Sequence, residues 1–184
     1  MARTTSARNT VLRSVHDLGL AAWFGGSLMG AVGLNGAAAG ASEPSERLRL
    51  AANGWALWAP WQIGAIAAHT VGGVGLIMAN RARLEHQSGA RVNMLAKSAI
   101  TIAAAGAAAY AGYLGSQVKA EEDQATIGVT EPAPQASTRL ASAQRQLKII
   151  QWAIPALTGL AVILGAQQGE QQRGPVTLLD KIRR

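Results

Sequence analysis

The residues of this chain best suited to chemistry are its three histidines, His16, His69 and His86. His69 lies inside the stretch Leu50–Asn80, which contains no Asp, Glu, Lys or Arg. An imidazole in so apolar a setting can ligate haem or a metal, contact a quinone, or relay a proton. It can equally be a neutral ring bonded to a carbonyl, or to a Gln, Ser or Thr on a neighbouring helix. On a helical wheel His69 shares a face with Gln62, Ala65, Gly72, Gly73 and Leu76. That face is small and polar, so it should point inward. His16 and Asp17 open the first apolar run, where Arg13 and Asp17 form an i,i+4 pair. An acid in a first turn suits the helix dipole, so an interfacial cap is expected there. His86 falls in a basic loop and should face solvent.

His69 and His16 are therefore the candidate cofactor residues, with haem b as the alternative to no cofactor. A shared haem needs both rings at one level. Counting from Arg13, His16 should lie about 5 Å inside the boundary, and counting from Arg81, His69 should lie about 18 Å inside. The expectation is that the two rings sit at different depths.

Other chemistry finds no residues. With no Cys there are no disulfides, thiolate metal sites or catalytic thiols. Gly72-Gly-Val-Gly75 is no phosphate loop, because it lies inside an apolar run with no strand before it and no Lys-Ser/Thr after it. No hydrolase triad and no carboxylate cluster for a metal is present. No catalytic or metal residue is expected, and the chain does not read as an enzyme.

The elements that must hold the histidines follow from charge segregation. The 184 residues are 49% hydrophobic and 15% charged, and charge-free runs occur at 18–40, 50–80, 98–118 and 149–169. A soluble helix of such length would carry charges on its outer face. Each run is near or above the roughly 20 residues that span hydrocarbon. Runs one and three owe their hydropathy mostly to Ala and Gly, which drive insertion less than Leu or Ile. The fold class is all-α, a polytopic membrane protein with four transmembrane helices in an up-down bundle. One domain, 12–169, holds helices at about 12–40, 50–80, 95–118 and 138–169, between tails 1–11 and 170–184. The first run is longer than the apolar core of a signal peptide and is read as an uncleaved helix. Residues 81–97 read as a basic loop and 119–137, with Glu131-Pro132-Ala-Pro134, as a linker. Pro60 and Pro155 should fall in the first turns of their spans, where Pro is tolerated.

Orientation follows from Lys and Arg. Eleven of the 17 lie at the N-terminus (Arg3, Arg8 and Arg13), in the 81–97 loop and in the C-terminal tail. Both termini are therefore placed in the cytoplasm. Trp55, Trp58, Trp61, Tyr110, Tyr113 and Trp152 then fall near the outer helix ends and serve as interfacial anchors, with Trp23 deeper. The formal charge of +7 flanks the apolar runs and forms no basic helix, so nucleic acid is not an expected partner. Gly26-Ser-Leu-Met-Gly30, Gly36-Ala-Ala-Ala-Gly40, Gly72 and Gly73 let helix backbones approach closely, within the bundle or against a partner.

The segment His16-Asp-Leu-Gly-Leu-Ala-Ala-Trp23-Phe-Gly25-Gly26 resembles the first-helix signature of small bacterial membrane proteins of the copper-resistance CopD type and related uncharacterised four-helix families. The resemblance covers eleven residues and implies a helical protein of the bacterial inner membrane. It does not extend to copper ligands, since Met29 and Met94 are isolated. The chain as a whole reads as structural or accessory, in contact with the lipid bilayer and packed as a homo-oligomer or against other membrane subunits. The alternatives are a haem- or quinone-linked electron-transfer subunit using His69, and a small metal or solute transporter.

Overall fold

The computed structural model describes residues 9–171, and among them every regular element is helical. Helix α1 spans Thr10–Ala39, α2 Arg47–Ala79, α3 Arg81–His86, α4 Ser88–Lys119 and α5 Thr138–Gln171. All but α3 are long and apolar enough to cross a membrane. The tails expected at 1–11 and 170–184 lie largely outside the described residues.

The four long helices run up and down as two tight antiparallel hairpins, α1 with α2 and α4 with α5. The hairpins meet mainly where α1 lies along α5, and α2 and α4 touch far less. Glycine fixes the α1–α2 register. A Cβ on Gly19 would lie 2.5 Å from the His69 nitrogen, and one on Gly72 would lie 2.7 Å from the His16 nitrogen. Further along, the Trp58 ring lies over Gly26 and the Trp55 ring over Gly30. Small residues permit this approach, and van der Waals contact along the seam rewards it.

The inside is partly polar and the outside apolar. His16, His69, Gln144 and Thr158 are buried beside Trp23, Leu48, Leu114 and Leu140. Leu57, Ile63, Val71, Ile102, Ile149 and Ile163 are all exposed. Aromatic residues divide between the two. Trp55 and Trp58 fill the glycine notches of α1, whereas Trp61, Tyr110, Tyr113 and Trp152 stand on the outer surface.

Three expectations need correction. The basic loop at 81–97 is almost wholly helical, because α4 begins at Ser88 and Arg81–His86 forms α3. Its charges therefore project from helices. Pro60 and Pro155 lie well inside α2 and α5, since those helices start at Arg47 and Thr138. Proline is tolerated there as it is in apolar bundles, where neighbours re-satisfy the freed groups.

The expected linker is a folded cap across one end of the bundle. Thr126, Val129, Thr130 and Ala133 are buried in it. Its prolines deny it a regular helix, so its carbonyls need side-chain donors. Gln144 Nε2 from α5 faces the Val129 carbonyl and Thr126 Oγ1 at 2.9 Å. Arg47 Nη1 from α2 donates to the Ile127 carbonyl at 2.7 Å and the Thr126 carbonyl at 3.0 Å.

Two outcomes are expected. In detergent, Gly72→Leu lowers the unfolding free energy by about 1–3 kcal/mol, because the seam cannot open without losing its contacts. Gly106→Ala, at a glycine with nothing within 4 Å, leaves stability unchanged or raises it. Equal losses in denaturant titrations of the two variants would show that the seam is not the tight element. For the cap, Gln144→Ala should expose Glu131 to a glutamate-specific protease, at a cost of about 1–3 kcal/mol for carbonyls left without a donor. An unchanged digestion pattern would mean that Gln144 does not hold it.

Candidate functional site

His16 is set on α1 and His69 on α2, each three residues before the glycine that admits the other. His16-Asp-Leu-Gly19 and His69-Thr-Val-Gly72 are the same pattern, His-x-x-Gly, on two antiparallel helices. Each glycine lies against the histidine of the opposite helix. The arrangement is a local two-fold in which each ring reaches across the seam.

The hydrogen bonds are reciprocal. His16 Nδ1 donates to the His69 carbonyl at 2.7 Å, and His69 Nδ1 donates to the His16 carbonyl at 3.1 Å. A carbonyl only accepts, so each Nδ1 carries hydrogen. In the neutral rings each Nε2 is then a lone pair. His69 Nε2 accepts from the Thr101 hydroxyl of α4 at 3.2 Å. His16 Nε2 has no hydrogen-bond partner among the described residues. The rings stack with centroids 3.9 Å apart and planes 20° from parallel. The Trp23 ring meets His69 edge-on at 6.3 Å.

The expectation that the two rings sit at different depths is therefore wrong. It took Arg13 as marking the end of α1. The helix begins at Thr10, and Leu12 lies against Gly75 in the last turns of α2, which sets His16 level with His69 across the seam. Arg13 stays exposed while lining a cleft over the pair. For the same reason His16 is buried in the seam rather than capping an exposed helix end. His86, expected to face solvent, is exposed at the end of α3.

A shared depth does not make a haem site. Two axial imidazoles stand on opposite sides of the iron, and rings stacked at 3.9 Å leave no gap for a macrocycle between them. Among the described residues no group of three or more His, Asp or Glu converges as metal ligands would.

Over the pair lies a cavity of about 330 Å³. Arg13, Asp17, Thr70, Lys97, Ser98 and Thr101 supply its polar lining, and Val74, Ile77, Met94 and Ile102 its apolar walls. Sequence reading named His16 and His69 but missed Arg13, Lys97 and Thr101 as their neighbours. The repeated His-x-x-Gly was the available signal for the pair, whereas nothing local ties Thr101 or Lys97 to it.

A second polar cluster, also missed, sits toward the cap. Asn35 Nδ2 donates to Gln151 Oε1 at 2.8 Å, and Trp55 Nε1 donates to Asn35 Oδ1 at 2.9 Å. Asn35 directly follows a π-helical turn, Gly30–Leu34. The wider turn rotates the end of α1 relative to its start and presents Asn35 to both α2 and α5. It joins three helices without a charge.

No protein-family model matches the chain, and no curated protein or solved structure is similar to it.

In a double-mutant cycle in detergent, His16→Ala and His69→Ala should be coupled by about 1–2 kcal/mol, the scale of strong polar contacts between apolar helices. Strictly additive losses would mean that the reciprocal bonds contribute nothing to holding α1 on α2.

Proposed function

We propose that the chain is a multi-pass protein of a bacterial cytoplasmic membrane, with both termini in the cytoplasm, serving as a structural or accessory unit packed against itself or partner subunits. The supporting observation is the apolar exterior of the bundle around a partly polar interior. Large apolar side chains cover the outside of four spanning-length helices, while histidine, glutamine, asparagine and threonine are bonded within. Water would penalise that exterior, and lipid would not.

The placement of Lys and Arg supports the orientation, and the CopD-type resemblance of the first helix supports the bacterial membrane. The histidine pair supports the structural role. Both Nδ1 donors and one Nε2 are spent on contacts between helices. An electron-transfer subunit with both rings on one haem is disfavoured by the stack.

The test joins three measurements on the intact protein. It should stay in the membrane pellet through alkaline carbonate. A reporter fused after Glu131 should be active outside the cytoplasm, and one after His86 inside it. The purified protein should show no Soret band. Carbonate extraction would overturn the membrane placement, exchanged reporters the orientation, and a Soret band lost in His69→Ala the accessory role.

A further inference from the structure

We propose that the cleft between α2 and α4 is a lateral binding site for a phospholipid carrying a single negative charge, its phosphodiester seated on Arg13 and Lys97 and its chains leaving past Val74 and Ile102. The inference rests on the membrane placement proposed above.

Packing supplies the opening. α1–α2 and α4–α5 are closely packed pairs, while α2 and α4 touch little, and the cavity lies where they diverge. Its floor is polar, formed by the histidine pair, Thr101 and Ser98, and its outer wall is apolar. Val74 and Ile102 belong both to that wall and to the exterior, 51% and 72% exposed. In a bilayer those side chains meet acyl chains, so the cleft opens toward lipid. At about 330 Å³ it is at the small end of ligand sites, with room for a headgroup and none for two chains.

Charge selects the headgroup. Arg13 and Lys97 bring two positive charges from separate helices and Asp17 one negative charge, leaving one positive charge in excess. Among the described residues no carboxylate is within ion-pair distance of Arg13 or Lys97; the three pairs found are Arg49–Glu46, Arg81–Glu85 and Lys148–Glu131. Lys97 is half-buried in a cleft walled by Val74, Ile77 and Ile102, with Arg13 exposed at the same cleft, and a cation so placed calls for a counter-charge that a singly charged phosphodiester provides. The Ser98 hydroxyl donates to the Met94 sulfur at 3.8 Å, a weak acceptor that a phosphate oxygen would replace. Basic pockets between membrane helices take anionic headgroups on these terms.

The experiment is native mass spectrometry of the full-length protein, delipidated in detergent and offered phosphatidylglycerol and phosphatidylcholine in equal amounts. One phosphatidylglycerol should be retained with a preference of about tenfold, and Arg13→Gln/Lys97→Gln should abolish it. Lys119→Gln/Arg139→Gln, at the other end of the bundle, should keep it. Val74→Trp blocks the mouth without touching a charge and should also lower retention, which serves if the double variant fails to fold. Equal retention of both lipids, equal loss in both double variants, or displacement of the lipid by millimolar inorganic phosphate would overturn the proposal. The last outcome would assign the cavity to a free anion. A protein that remains carbonate-resistant yet shows no preference refutes the site alone, whereas carbonate extraction refutes the membrane reading beneath it.

Discussion

Two helices can bring their backbones together only where side chains leave room, and α1 and α2 meet at such places along their whole length. At Gly19 and Gly72 the opposing chain lies closer than any Cβ would permit. Only there can an imidazole on one helix reach a main-chain carbonyl on the other. The reciprocal bonds of His16 and His69 therefore depend on the two glycines, and they fix the register in turn. Sliding one helix by a turn would break both bonds together and leave two ring donors buried without partners, a costly state in an apolar surround.

Most of the interior depends on that register. It places Trp58 over Gly26 and Trp55 over Gly30, and so brings the Trp55 indole to Asn35. Asn35 then ties α1 and α2 to Gln151 on α5. At the other end, His69 reaches Thr101 and so ties α2 to α4 by a polar bridge, beside the apolar clusters that hold Ala65 with Ala104 and Leu48 with Leu114. The α2–α4 pair has little other contact. One polar bridge across a loosely packed side leaves a cavity above it, lined by the cations of α1 and α4.

The interior does not hold together by apolar contact alone. Apolar residues on the outside gain nothing from one another if lipid is the solvent, so packing of small residues and polar contacts must supply the specificity. The cap at 120–137 obeys the same logic, since Gln144 and Arg47 supply donors that its irregular backbone lacks. Three buried donor groups, on Trp23, Ser27 and Trp58, stay unpartnered and mark the least satisfied part of the core.

Four uncharged runs, read from the sequence, suffice for an all-helical bundle with four spanning-length elements, because length and charge are local properties that no packing can hide. The inward direction of His69 was equally legible, since its wheel face is small and polar. Helix ends were less so. Ser88–Lys97 carries charges and looks like loop, yet it forms helix continuous with the apolar run. Likewise 119–137 has linker composition, and only its contacts with Gln144 and Arg47 reveal a folded cap. The level of His16 could not be read from Arg13, because a charge one turn inside a helix fixes no depth; the level is set by how far α1 slides along α2. Sequence thus determined which segments are helices and which residues are apolar, whereas tertiary structure decided how far the helices slide past one another. That sliding distance is set by the fit of Gly19 and Gly72 against the opposing backbone, a contact between residues some fifty positions apart; the repeated His-x-x-Gly marks the two places, and only packing brings them together.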